Sequence, residues 1–169
     1  MMMEIFMSAI VPISGGGDSL LPGLRELAST MQENFENYEI VIVDDGSVDN
    51  TSIAIGKLLG ELECLRIIRL SRSCGWEIAV AAGLDGIIGD FAVIIEPWTD
   101  PVNLIPELVF RCRSGEDILT GVPEGDEFIR PKGFARKLFH WYLAKYSGLV
   151  LVPNSTGFQV FSRQVVNAI

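Results

Sequence analysis

The sequence predicts an α/β protein of three layers, a mostly parallel central sheet covered by helices on both faces. Three observations predict it. Apolar runs of strand length alternate with segments of helical period along the chain. The strand runs are apolar at nearly every position, as strands buried on both faces are. With 169 residues, 49% hydrophobic and 21% charged, the chain holds enough apolar material for the core of one domain, residues 1–169.

Met7–Ile13 reads as the first strand, with Pro12 forcing its end. Ser14-Gly15-Gly16-Gly17 leads to a helix opened by Asp18 or Ser19, with Pro22 in its first turn and Leu20, Leu24, Leu27 and Met31 on its apolar face. Tyr38–Val43 is the second strand and runs directly into Asp44-Asp45-Gly46-Ser47. A helix over Asn50–Leu59, a strand at Leu65–Leu70 and an Ala-rich helix over Trp76–Ile87 follow. Phe91–Ile95 is a fourth strand, Asn103–Arg113 a helix and Asp117–Val122 a fifth strand. Ligand sites in such sheets lie beyond the carboxyl ends of the strands. That rule selects Pro12–Gly17, Asp44–Ser47, Arg72–Trp76 and Glu96–Asp100.

Charge and cysteine usage narrow the function. Thirteen basic residues against 22 acidic give a net charge of −9, which argues against nucleic acid as a partner because such binding rests on phosphate neutralisation. Mean hydropathy is +0.34, yet the most apolar window, Ile78–Ile95, is broken by Asp85 and Asp90, short of the roughly 18 residues of a spanning helix. The opening MMMEIFM lacks the basic start and cleavage site of a signal peptide. Cys64, Cys74 and Cys112 fit neither a zinc site nor a disulfide framework and read as buried thiols in a reducing, cytoplasmic setting. Arg130, Lys132, Arg136, Lys137 and Lys145 form a basic stretch without an acidic residue, which runs into an aromatic helix over Gly133–Ser147. It reads as a core helix with a solvated basic stripe, or as a helix that meets a membrane or a partner. The one histidine, His140, reads as part of that helix rather than as a catalytic group.

The sharpest motif is Glu39–Thr51, EIVIVDDGSVDNT. Two adjacent carboxylates at a strand end put acceptor oxygens at the rim of the sheet, where a nucleobase imide, a ribose hydroxyl or a metal can meet them. Asp49 and Asn50 suit local capping of the next helix. Together with Ala9–Pro12, Leu70–Arg72 with Gly75 and Glu77, Ala82–Asp85, Gly89-Asp90, Asp100-Pro101 with Leu104–Leu108, and Gly157-Phe158 through Ser162-Arg163, this series resembles inverting family-2 glycosyltransferases of the GT-A (Rossmann-like) fold. The likeness is greatest to the branch of dolichyl-phosphate mannose synthases and bacterial polyprenyl-phosphate glycosyltransferases. It covers nearly the whole chain and implies a nucleoside-diphosphate sugar as ligand. Pro12 would frame the base, Asp44 or Asp45 would bind uracil or guanine and ribose, Arg72 would lie near base or pyrophosphate, and Glu96 would stand at the donor. A Mg²⁺ or Mn²⁺ ion would be held by Glu96 and Asp100, with a lipid phosphate as acceptor and the basic stretch Arg130–Lys145 at the inner membrane face. A homo-oligomer fits the same resemblance.

The chain departs from that pattern in the reacting region. The family's fourth strand ends in Asp-x-Asp, whereas this one ends Ile95-Glu96-Pro97-Trp98-Thr99-Asp100, which leaves the metal site short of a ligand. The family's Gly-Asp-Phe-Arg is Thr156-Gly157-Phe158-Gln159 here, without the carboxylate of a catalytic base. Trp76 replaces a usual basic residue, and Ser14–Gly17 replaces a usual Asn-Glu. Three functions stay open on the sequence: a glycosyltransferase of reduced activity, a catalytically degenerate sugar-nucleotide-binding or scaffolding domain, and a dinucleotide-binding domain built on Gly15-Gly16-Gly17 and Asp44. Relatives in that branch continue into amphipathic and transmembrane helices, and a chain stopping within Arg163–Ile169 is expected to be a truncation.

Overall fold

The computed structural model describes residues 2–62, 64–121 and 157–166. Contacts divide the chain into two units, Met1–Leu119 with Gly157–Ile169, and Thr120–Thr156, and the architecture below is that of the first. Six strands form one sheet: β1 (Met3–Ile13), β2 (Phe35–Asp44), β3 (Leu65–Arg69), β4 (Phe91–Ile94), β5 (Ile118–Thr120) and β6 (Gln159–Ser162). Their order across the sheet is β3-β2-β1-β4-β6-β5. The pairings β1–β2, β1–β4 and β2–β3 are parallel, and β4–β6 is antiparallel. Helices α1 (Leu21–Asn34), α2 (Thr51–Leu59), α3 (Trp76–Gly86), α4 (Ile105–Arg113) and the short α5 (Arg163–Val166) complete the unit. The α/β class and the mostly parallel sheet with helices on both faces are as the alternation of patterns predicts.

The parity of each strand assigns its side chains to the two faces. Met7, Ala9, Val11, Ile40, Ile42, Val93 and Val160 join the core under α1, α2 and α4. Ile10, Val41, Val43, Ala92, Ile94 and Phe161 join the second core, with Ala79 and Val80 of α3. Each such side chain contributes about 1.5–3 kcal/mol on burial, so both layers are needed to offset the ordering of the chain.

Several boundaries differ from the sequence reading, each for a physical reason. β1 and β2 start earlier than Met7 and Tyr38, because Met3 pairs with Phe35, which is itself in the core, while Glu4, Glu36 and Asn37 between them and the predicted starts are exposed and interrupt the apolar run. The carboxyl end of β1 falls at Ile13, as expected, with Pro12 inside the strand's last stretch of pairing. The Ile10 carbonyl accepts from the Ile95 amide, and Pro12 shares that parity, so its missing N–H points beyond the last β1–β4 pair at Ile10–Ile94. β6 is an element the pattern did not announce. It is four residues long and slots between β4 and β5, with Phe91 opposite Ser162 and Ile94 opposite Gln159. Of the three thiols, Cys112 is buried, Cys64 is partly covered and Cys74 is exposed. Val122 and the basic helix, including His140, lie outside the described residues. No helix among the described residues is long and apolar enough to cross a membrane.

The buried polar residues at the amino-terminal end of the sheet satisfy one another. Glu39 accepts from the Ser8 hydroxyl at 2.6 Å and the Ile88 amide at 2.9 Å, and pairs with Arg66 at 3.1 Å. This network leaves the opposite, carboxyl end free for a ligand.

Helix α3 approaches the sheet most closely at Gly83, where an added Cβ would lie 2.5 Å from Ile10 Cγ2 and 3.2 Å from Val43 Cγ2. Gly83→Val is expected to cost at least about 2 kcal/mol by overpacking, measured by urea unfolding. Gly86→Ala is the control: its Cβ would meet nothing nearer than 3.6 Å, and it should be neutral or slightly stabilising.

Candidate functional site

A cleft of about 680 Å³ opens at the carboxyl ends of β1, β2 and β4. Pro12–Gly16 with Ser19 and Leu20 form one wall, Asp45, Ser73, Gly75, Trp76 and Ala79 a second, and Glu96 and Trp98 a third. Of the residues singled out from sequence, Pro12, Asp45 and Glu96 line it, whereas Asp44, Arg72 and Asp100 do not.

The glycine loop takes its shape from backbone freedom. Gly15, Gly16 and Gly17 have φ of 133°, 118° and 54°, conformations that side chains rarely adopt. Two of its three amides are already in use: Gly16 N–H donates to Asp49 Oδ2 and Gly17 N–H to Thr51 Oγ1, each at 2.9 Å. The Thr51 hydroxyl, followed by the Gly16 amide, holds the Asp49 carboxyl below the usual carboxylate range. A dinucleotide site needs such amides turned to a pyrophosphate, and the Gly16 and Gly17 amides are turned to Asp49 and Thr51 instead. Asp49 therefore does more than the helix capping expected of it.

The two adjacent aspartates have separate roles. Asp44 is buried, accepting from the Ser47 amide at 2.8 Å and pairing with Arg69 at 3.4 Å. It shapes the β2 turn, which crosses at Gly46 with φ 69°, where an added Cβ would lie 2.6 Å from the Arg72 carbonyl carbon. Arg72 is exposed and enters the site's construction through this backbone contact. Asp45 faces the loop after β3. Its Oδ1 accepts from the Cys74 amide at 2.6 Å, and its Oδ2 from the Ser73 hydroxyl at 2.9 Å and the Gly75 amide at 3.0 Å. The Cys74 amide above all, then the Gly75 amide and Ser73 hydroxyl, lowers its pKa against the opposing push of burial. Ser73 lies within the Arg72–Trp76 segment that the strand-end rule selects, although its bond to Asp45 was not read from the sequence.

At the end of β4 the chain closes on itself. The Thr99 and Asp100 amides donate to the Glu96 carbonyl at 2.9 Å, and Asp100 Oδ2 accepts from the Glu96 amide at 2.8 Å. Burial raises the Asp100 pKa, which favours its neutral form. Asp100 thus holds the turn with its side chain and does not line the cleft. Among the described residues no three His, Cys, Asp or Glu side chains gather as a metal-holding group. Glu96 is the one carboxylate at this end of the cleft, and a Mg²⁺- or Mn²⁺-type ion that relies on carboxylate charge does not fit this donor set. Trp76 and Trp98, each 38% exposed, supply aromatic surface instead.

Residues 8–96 match the family model for glycosyl transferase family 2, which is more than half of the chain. The chain belongs to this family. An uncharacterized glycosyltransferase of Synechocystis sp. is 32% identical over 99% of this chain and 53% of its own length. CsbB of Bacillus subtilis, a glycosyltransferase in name, is 26% identical over 99% of this chain and 51% of its own length. The chain thus spans about half the length of these curated relatives. Among solved structures, glucosyl-3-phosphoglycerate synthase from Mycobacterium tuberculosis with Mn²⁺ and UDP-glucose superposes with a TM-score of 0.69 at 19% identity, over 98% of this chain and 58% of that one. The mannosyltransferase PcManGT from Pyrobaculum calidifontis with GDP-mannose and Mn²⁺ gives 0.62 at 17%, over 98% and 47%. These likenesses establish the fold of this family-2 domain.

The Asp45 clamp makes a testable pH signature. Its folded pKa is lowered, so its stabilisation is complete above the ordinary carboxylate range, about pH 4, and is lost as pH falls from there through the lowered value. Asp45→Asn turns an amide N–H against these donors. It should lower the melting temperature at pH 7, flatten the acid limb of stability below about pH 4, and speed hydrogen exchange at Cys74 and Gly75.

Proposed function

We propose that this family-2 domain binds a nucleoside-diphosphate sugar in the cleft at the ends of β1, β2 and β4, and passes the sugar to a polyprenyl phosphate or another glycan acceptor at a reduced rate. The cleft carries the reading: it lies where open α/β sheets bind ligands, and its volume of about 680 Å³ suits a nucleotide-sized molecule. In this reading the nucleoside lies against Pro12, Asp45 and Ser73, and the sugar toward Glu96 and Trp98. In transfer with inversion the acceptor oxygen forms a bond to the anomeric carbon as the bond to the diphosphate breaks, and the diphosphate departs with the electron pair. A lipid phosphate is already anionic and needs no proton removed, so it suits a cleft with no carboxylate at Gly157. The domain then works on the cytoplasmic side of a membrane, with Arg130–Lys145 drawn to anionic lipid at about 1 kcal/mol per basic residue, as one copy or as a homo-oligomer.

A second reading has its own support. The self-closed Glu96–Asp100 turn and the indole of Trp76 occupy the reacting region, which favours a domain that binds a sugar nucleotide to sense or scaffold rather than to turn it over.

Two measurements on the full-length protein test these readings. UDP or GDP at a hundred times its dissociation constant should add about 2.7 kcal/mol of stability, visible as a rise in melting temperature, with little further change on adding Mn²⁺. No rise with either nucleotide would overturn both. Transfer to a polyprenyl phosphate is expected to be slow and indifferent to Mn²⁺ or Mg²⁺. Fast, metal-dependent turnover abolished by Glu96→Ala would show that the departures are compensated. Flotation with anionic vesicles that weakens in salt should accompany the membrane part of the proposal, and equal flotation with neutral vesicles would remove it.

A further inference from the structure

Trp76 combines three features that the family resemblance does not supply. Its backbone hangs from the end of β2, because Asp45 binds Ser73, Cys74 and Gly75 immediately before it, and Gly75 turns the chain into α3 with φ 100°. Its ring ends at Gly157, just ahead of β6, where an added Cβ would lie 2.8 Å from Cζ2 and 3.5 Å from Cε2 and Cη2. It nevertheless stays 38% exposed and lines the cleft with Glu96 and Trp98. In the sheet, β1 and β4 lie between β2 and β6, so the loop and ring together pass over the ends of both. The two departures at positions 76 and 157 are therefore one change: a side chain at 157 and an indole at 76 compete for the same space.

We infer that Trp76 is the specificity-determining platform on which the hexose of the bound sugar nucleotide lies, and that Gly157 is side-chain-free to leave room for the indole there. This rests on the nucleotide-sugar reading above. A pyranose presents one face of C–H groups that suits an aromatic surface, and a rim of hydroxyls that suits an acceptor such as the Glu96 carboxylate. The indole edge sits on the β4–β6 side, away from the Pro12–Asp45 end where the nucleoside lies, so the hexose rather than the base meets it. A phosphate gains nothing from an indole face, which offers it no cation.

A cycle that crosses the ligand with the protein tests this in the full-length protein. Binding of UDP and UDP-glucose, and of GDP and GDP-mannose, is measured by calorimetry for the wild type, Trp76→Leu and Gly157→Ala. The wild type is expected to bind one sugar nucleotide about tenfold more tightly than its bare diphosphate, as burial of the apolar C–H face of one ring gives. Trp76→Leu should erase that increment while leaving affinity for the bare diphosphate within about twofold, a split that general loosening of the fold would not produce. Gly157→Ala, which tilts the ring, should shrink the increment in the same direction. Equal weakening of diphosphate and sugar nucleotide, an increment that survives Trp76→Leu, or a wild type that gains nothing from the hexose would each overturn the inference and leave nucleotide binding standing. A wild type that binds none of the four would overturn the nucleotide-sugar reading and this inference together.

Discussion

Strand β1 has no solvent-facing side from Met7 to Ile13: parallel partners flank it, and a separate core covers each face. A strand so enclosed can carry no unpaired polar group and no charge. Its one polar side chain in that stretch, Ser8, is bonded to Glu39. Chemistry is thereby displaced to the place where the pairing runs out, beyond Pro12 on β1, Asp44 on β2 and Ile94 on β4. The loops leaving these ends fix their own shape with side chains from the next segment, Asp49 and Thr51 for the glycine loop and Asp45 for the Ser73–Gly75 turn.

The sequence made this architecture readable because buried parallel strands are apolar at consecutive positions and their crossover helices have a different period. It was least readable where energy comes from pairing rather than from burial of a run. The outer ends of β1 and β2 contain Glu4, Glu36 and Asn37, which no apolar pattern selects. β6 is four residues long, and it is placed by β4 across a large sequence separation, which local pattern does not report. The site shows the same division. That Asp44-Asp45 stands at a rim was legible, but which oxygen serves which donor was not. Asp44 turns to Ser47 and Arg69, and Asp45 to an amide thirty residues away. Asp100 read both as a metal ligand and as a helix-start residue; its bond to the Glu96 amide is the local role the structure displays.

The departures from the family pattern acquire a common cause in the fold. A tryptophan at 76 needs a glycine at 157, and the Pro97-Trp98 step lies so close to α1 that an added Cβ on Gly23 would meet the Pro97 carbonyl oxygen at 3.0 Å. Substitution in this region is thus a matter of space as much as of chemistry: the Trp76 ring has Gly157 against it, and the backbone of Pro97-Trp98 has Gly23. Restoring a family residue at one position alone meets a neighbour already adapted to its absence.

The insertion of β6 between β4 and β5 has a consequence for synthesis on the ribosome. β1, β2, β3 and β4 are complete once Ile94 has emerged, yet the outer edge of β4 receives its partner only when Ser162 has been made. At 5–20 residues per second, that edge waits about 3 to 14 s. Throughout the interval Phe91-Ala92-Val93-Ile94 presents an apolar strand with open backbone donors and acceptors, the kind of surface on which nascent chains pair with one another. The late arrival of one short antiparallel strand is thus what closes the last open edge of the central strands.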